Sequence, residues 1–325
     1  MDAGTRAVEA LYTRQLKIDD YWAERTPAGF RWWADKQAQS VEVIGHEDGG
    51  PDGAVGYLLS VRTDVVRGVD LDDEKRATLN SEVMSFASMA GMVYDEAAHT
   101  LSLGSLVRVW DENLTWLTPL LGMAAVLQIH EARMWAPRLA ASLGAETLIS
   151  GHPDHGVRAQ PDEMAGAVEK LVMPTGRESS VWSDAELQAA AKGLGDEPGL
   201  LSSSFEPDGL TIDVAFGDVP SRCQVLNGVK HPLYGSGLLV LQSLPLAPET
   251  EPEGAGLALA FNGIELAREP LGYGFGSYAW RDQRMYFIQF LPNALYRMGL
   301  VPSLVASCAQ RARSLHSVLT QAERE

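Results

Sequence analysis

MVYDEAAHTLSLGSLVRVWDENLTWLTPLLGMAAVLQIHEARMWAPRL, Met92 to Leu139, reads as an apolar strand around Tyr94, a polar turn, a longer apolar strand from Leu101 to Trp110 and a long helix. Adding 180 to each number gives GYGFGSYAWRDQRMYFIQFLPNALYRMGLVPSLVASCAQRARSLHSVL, Gly272 to Leu319, with the same order of elements: Tyr278, a turn at Arg281 to Gln283, a run from Met285 to Leu291 and a helix. Asn113 and Asn293 follow the second strand at matching places. Recurrence of whole elements at constant spacing predicts a duplicated unit.

Working outward, Thr5 to Glu24 carries Val8, Leu11, Tyr12, Leu16 and Trp22 on one helical face. Phe30 to Ile44 and Val55 to Val66 alternate as strands, separated by the turn composition of His46 to Gly53. Asp70 to Lys75 places carboxylates at the start of a helix reaching about Met89. Thr118-Pro119 has the form of an N-cap and first helical position for a helix ending near Leu143. Beyond a connection with a short helix over Pro161 to Val172, Ser183 to Glu186 forms a capping box. Strands at Leu210 to Phe216, Arg222 to Val229 and Leu238 to Leu244 follow, then a helix near Leu257 to Arg268, the second strand pair and a last helix from Pro302 to about Ala322.

The expected fold class is therefore α+β: two similar repeats of helix-strand-strand-helix-strand-strand-helix with antiparallel sheets, forming an internal pseudo-dimer. The predicted boundaries are 1–146 for the first repeat, 147–180 for a connecting segment and 181–325 for the second.

Composition narrows the function. A chain of 325 residues with 46% hydrophobic content can fill two cores, and its net charge of −17 opposes phosphate backbones and anionic lipid. Nucleic acid and membrane are thus not expected partners, and with neither a leader pattern nor a long apolar run the protein is expected to be cytoplasmic. Cys223 and Cys308 read as reduced core residues rather than a disulfide.

Chemistry-bearing motifs are weak. His130-Glu131 lacks the second His of a zinc-protease pair, its place being taken by Met134, so His130 reads as a partly exposed helix residue. His152 and His155 in GHPDHG lack further ligands nearby and read as turn residues. The glycines at Gly235 to Gly237 and Gly272 to Gly276 precede strands, which favours hairpins or bulges over a phosphate loop. Ser202 to Ser204 has no local base, and Asp72-Asp73 and Asp111-Glu112 stand where helix capping explains them. No cofactor or enzymatic activity is expected. Trp32 and Trp33 are adjacent in a predicted strand and should point to opposite faces, exposing one as a partner anchor, with Trp116 and Tyr296 as further candidates.

The two strand-pair-to-helix units, with the strand entry His231-Pro232-Leu233-Tyr234-Gly235-Ser236-Gly237-Leu238, resemble in layout the type III secretion chaperone-like superfamily, including its YbjN-like bacterial members. That resemblance implies a non-enzymatic module that holds a partner protein, as a chaperone or adaptor linked to secretion or regulation. It would be a monomer with internal pseudo-symmetry or a homodimer. The competing expectation is a sensor or enzyme with a ligand pocket between the two halves.

Overall fold

A computed structural model describes residues 1–322 except 49, 51, 52, 87, 195–197, 208 and 247. Part of the turn expected at 46–53 and of the turn before the strand at Leu210 lies outside the described residues.

The chain opens with α1 (Ala3–Ala10), capped by the Asp2 carboxylate, which accepts from the Thr5 amide at 2.8 Å. The helix expected to reach Glu24 instead widens into a π turn over Leu11–Gln15 and is followed by a tighter 3-10 turn over Asp20–Trp22, with Lys17 taking a positive φ of 49° between them. Strands β1 (Ala23–Thr26), β2 (Gly29–Trp32), β3 (Gln39–Glu47) and β4 (Gly56–Arg67) follow. Helix α2 (Asp73–Phe86) starts where Asp72 accepts from the Lys75 amide at 2.9 Å, and β5 (Gly91–Asp95) and β6 (Thr100–Val109) lead into α3 (Leu114–Leu143). A short β7 (Glu146–Thr147), single turns at Glu163–Gly166 and Val168–Val172, and the one-turn α4 (Met173–Thr175) cross to α5 (Asp184–Gly193). Then come β8 (Leu200–Glu206), β9 (Gly209–Val214), β10 (Ser221–His231), β11 (Gly235–Leu244), α6 (Glu251–Glu265), β12 (Ser277–Arg281), β13 (Arg284–Pro292) and α7 (Leu300–Ala322).

The architecture is mixed α/β with two antiparallel sheets. The first has the order β1-β2-β3-β4-β6-β5 with β7 on β4, and the second β8-β9-β10-β11-β13-β12. Four strands precede α2, where two were expected, and four precede α6, where three were expected. The sequence-based reading merged β2 with β3 across the bend at Asp35 to Gln37, and missed β8 because its Ser-rich, largely exposed residues carry no apolar alternation.

Thr118 and Pro119 lie inside α3 instead of starting it. The turn into the helix is built earlier by Asn113, whose carboxamide accepts from the Trp110 amide at 3.0 Å and donates to the Arg108 carbonyl at 2.9 Å. Asn293 holds the connection instead, donating to the carbonyls of Thr175 (3.2 Å) and Ser179 (3.1 Å). Helix α3 ends at Gly144, whose φ of 62° suits a residue without a Cβ. Capping by Ser183 is as expected, its hydroxyl accepting from the Glu186 amide at 3.2 Å.

One large apolar cluster runs from Ala7 through α3 and both sheets to Leu315. The parts also exchange backbone bonds. Gly274, just before β12, pairs with Leu106 of β6 in both directions (3.0 and 3.3 Å), and Ser88, just before β5, accepts from the Phe290 amide of β13 at 3.1 Å. Asn80 of α2 clasps the outer edge of β12, accepting from the Trp280 amide and donating to its carbonyl, both at 2.7 Å. Asn262 of α6 does the same at Tyr278, at 2.8 and 3.4 Å. Such carboxamides stand in for a missing neighbour strand and close an edge that would otherwise template pairing.

A Cβ at Gly274 would lie 2.4 Å from the Leu106 carbonyl oxygen, a backbone atom that cannot swing aside. Gly274→Ala is therefore expected to lower stability by about 2 kcal/mol or more. Urea unfolding monitored by circular dichroism checks this, with Gly263→Ala, a helical site with open space around it, as the control that keeps or slightly raises stability.

Candidate functional site

Buried polar residues concentrate where the long helices meet the sheets. Under α3, Gln128 donates to the Val61 carbonyl (3.2 Å) and the Ser105 hydroxyl (3.0 Å), while Gln39 donates to Thr63 (2.7 Å) and to the Ala125 carbonyl (3.0 Å). Trp32 enters this network, its indole donating to Gln39 at 3.0 Å.

One turn further along α3, the Glu131 carboxylate is fully buried. Its Oε1 accepts from Ser88, which arrives from the segment before β5, and at 2.8 Å from the hydroxyl of Tyr234, which sits in the turn between β10 and β11. Its Oε2 has no partner among the described residues. Burial raises the Glu131 pKa to about 7, against the opposing effect of the Ser88 and Tyr234 hydrogen bonds, and burial likewise pushes the Tyr234 phenol up. His130, expected to be partly exposed, is buried with both ring nitrogens unpartnered, because the crossing segment covers that side of α3; burial lowers its pKa.

The second cluster centres on α7. Arg311 donates from Nε to both Glu265 oxygens at 2.9 Å, from one terminal nitrogen to Gln242 at 3.2 Å and from the other to the Tyr273 carbonyl at 2.9 Å. Tyr278 donates to Glu265 at 2.5 Å. Burial alone would lower the Arg311 pKa, but the Glu265 carboxylate outweighs it and the guanidinium stays charged.

The predicted anchors are dispersed. Trp32 and Trp33 are 0% and 1% exposed, so neither presents a face to a partner. The strand ends at Trp32, and the chain from Ser150 to Arg158 folds over Trp33, whose indole donates to Ser150 at 3.1 Å and whose carbonyl accepts from Arg158 at 2.8 Å. Trp116 is half-buried, edge-on to Tyr273 with ring centroids 5.3 Å apart. Tyr296 is 44% exposed and packs on Trp182, not on Trp116.

His152 and His155 stack nearly parallel, 4.6 Å between centroids, with Tyr21 stacked on His155 at 3.7 Å and Trp33 edge-on to His152. Imidazole lone pairs lie in the ring plane, so parallel stacked rings do not converge on one ion. Among the described residues no group of three or more His, Cys, Asp or Glu is placed to hold a metal.

The space between α2 and α6 is about 10 Å³, so that interface is filled. A more open groove of about 590 Å³ lies at its mouth, lined by Asn80, Met84, Glu249, Glu251, Trp280 and Asp282. The outer edge of β8 is uncovered: its backbone pairs with β9 and makes no further backbone bond among the described residues, and Leu201 on it is 60% exposed.

Sequence reasoning missed Glu131, Arg311, Glu265 and β8. The signal for the first two was present as a single charge on an otherwise apolar helical face. Glu265 closes a helix whose end was placed three residues late, which hid its partner. Comparison of the chain with protein-family models, with curated proteins and with solved structures finds no match.

The pH dependence of Glu131 follows from its position. Its folded value near 7 stands above the ordinary 4.5, so between those pH values the unfolded chain releases a proton that the folded chain keeps. Stability then falls as pH rises through that window, by up to about 3 kcal/mol, and levels off above it. Glu131→Gln keeps an oxygen for Ser88 and Tyr234 and removes the titration. At pH 8 it is expected to be more stable than the parent by about 2 kcal/mol, with the difference vanishing near pH 4.5. Urea titrations of both proteins across pH 4.5 to 8 measure this difference, in which the opposite contribution of His130 cancels.

Proposed function

We propose that the chain is an internal pseudo-dimer of two type III secretion chaperone-like units, and that it acts in the cytoplasm as a chaperone or adaptor for a partner protein. The pseudo-dimer reading is supported by the equal order of the sheets, each read from its outer edge: four strands in succession, then the sixth, then the fifth. Further support comes from the crossed backbone bonds. Leu106 and Phe290 stand 184 positions apart, their partners Gly274 and Ser88 stand 186 apart, and each bond joins one half to the other. Among the described residues no helix is long and apolar enough to cross a membrane.

The observation that carries the binding role is the contrast between sheet edges. Where the sheets meet, β12 is clasped by Asn80 and Asn262, whereas the outward backbone donors and acceptors of β8 at the far end make no backbone bond among the described residues. An open edge accepts an extended segment by strand addition, with main-chain bonds supplying affinity. The net charge of −17 favours a basic segment and makes capture sensitive to salt. A second reading, a small-molecule site between the halves, is favoured only by the acidic groove at the mouth of the α2/α6 interface.

The test compares tagged parent protein with the variant Ser202→Lys/Ser204→Lys in pull-downs from the native host at moderate salt. Both serines are exposed on β8, and lysines on an edge oppose strand addition. One partner recovered near stoichiometric amount by the parent, reduced about tenfold or more by the folded variant, is the expected outcome, with slowed amide exchange in β8 on adding the purified partner. Equal recovery by both proteins removes β8 as the binding edge. A clean protein without companions overturns the chaperone reading and turns attention to metabolite screening at the groove.

A further inference from the structure

Cys223 lies on β10 facing α7, and Cys308 lies on α7 facing the sheet; both are fully buried. Their sulfurs are 3.1 Å apart, with the Cys223 thiol donating to Cys308 Sγ. Strand β10 is held on both sides, Cys223 pairing with Ile212 of β9 and with Gln242 of β11. The helix is pinned at the same level, since Gln242 donates to the Cys308 carbonyl at 2.9 Å. Neither sulfur can therefore drift far from the other.

We propose that Cys223 and Cys308 form an oxidisable pair that closes to an intramolecular disulfide on exposure to a hydroperoxide. A disulfide bond is about 2.05 Å long, so the sulfurs need to approach by about 1 Å. The surroundings assign the roles. The bond from Cys223, together with the nearby Arg311 charge, favours the thiolate at Cys308 against the cost of burial, while Cys223 is held in the thiol form by that same bond and by burial.

The chemistry balances with the peroxide as oxidant. Cys308 thiolate attacks one peroxide oxygen, the O–O bond breaks, and the departing hydroxide takes a proton to become water, leaving Cys308 as a sulfenic acid. Cys223 then loses its proton and attacks the Cys308 sulfur. The S–S bond forms, the S–O bond breaks, and the second oxygen leaves as water. Two thiols and one hydrogen peroxide thus become one disulfide and two waters, and a dithiol reductant reverses the step. The pair would tie sheet two to α7 across a long loop, which predicts stabilisation.

The experiment uses the full chain, reduced, desalted and treated with hydrogen peroxide in native buffer. It is then quenched, unfolded, alkylated and weighed intact before peptide mapping. The expected result is a mass lower by two hydrogens, no alkylation at either cysteine and a cross-linked peptide joining Cys223 to Cys308. The melting temperature should rise by about 5 °C relative to the reduced protein and return after reduction. In Cys223→Ser, Cys308 should stop at the sulfenic acid and be trapped by a dimedone probe. In Cys308→Ser, Cys223 should remain a thiol. Two free thiols after a treatment that oxidises exposed methionines, or oxygen added to either cysteine of the parent without a cross-link, overturns the proposal. Both readings come from the parent protein, so they hold even where a variant does not fold.

Discussion

Arg311 is 1% exposed and reaches four separate segments with one guanidinium: the end of α6 through Glu265, the C-terminal part of β11 through Gln242, the loop before β12 through the Tyr273 carbonyl, and the face of Phe287 on β13, 3.5 Å from the ring centroid. Burying an arginine and a glutamate together costs several kcal/mol per ion in lost hydration, and their attraction offsets this only when the remaining donors and acceptors are satisfied. Here they are: both Glu265 oxygens accept from Arg311, and Tyr278 supplies a further donor. Removing either ion would leave the other stranded, an effect worth about 3–5 kcal/mol. The pair therefore specifies one arrangement of α6, α7 and sheet two, because a shifted helix would leave a buried charge without its partners.

That arrangement positions the junction between the halves. Tyr273, held by Arg311 and by the Ser307 hydroxyl at 2.7 Å, is followed at once by Gly274, which pairs with β6. The backbone exchange thus starts from the ion pair. On the other side Ser88 has two tasks, accepting from the Phe290 amide through its carbonyl and donating to Glu131 through its hydroxyl. Polar groups from each half thus bond to groups of the other, so separation would expose paired backbone and a buried carboxylate together. Close approach depends on small residues as well: a Cβ at Gly91 would lie 2.4 Å from Leu266 and 2.7 Å from the Gly276 carbonyl.

Much of this was legible in the chain. The strand around Tyr94, the longer strand after the polar turn, the end of α3 at Leu143 and the Ser183 cap follow from apolar period and turn chemistry, and stand where these signals put them. What local pattern could not provide was the environment of each side. Trp33 is buried because a segment more than a hundred residues later folds over it, and His130 because the crossing chain covers its face of α3. β8 escaped notice for the converse reason: an edge strand with one neighbour needs little apolar content, so its serines resemble a loop. The buried charges were hidden by a similar limit. A glutamate within an apolar helical stripe is visible in sequence, but whether it is paired, protonated or exposed depends on residues such as Tyr234, 103 positions away.

Glu131 and Arg311 stand 180 positions apart on the two long helices, and the fold buries both. It meets the same cost in two ways. Arg311 keeps its charge, because the Glu265 carboxylate lies against it and ordinary pH cannot neutralise a guanidinium. No cation touches Glu131 among the described residues, only two hydroxyls, so its charged form is disfavoured and the proton is retained up to about pH 7. One cluster is therefore fixed by Coulomb attraction and indifferent to pH near neutrality, while the other is fixed by hydrogen bonds and weakens as its carboxyl ionises. Both Glu131 partners come from outside α3, Ser88 from the chain before β5 and Tyr234 from the turn before β11. Ionisation of this one group would thus act on the contact between the halves, through Tyr234, rather than on either sheet.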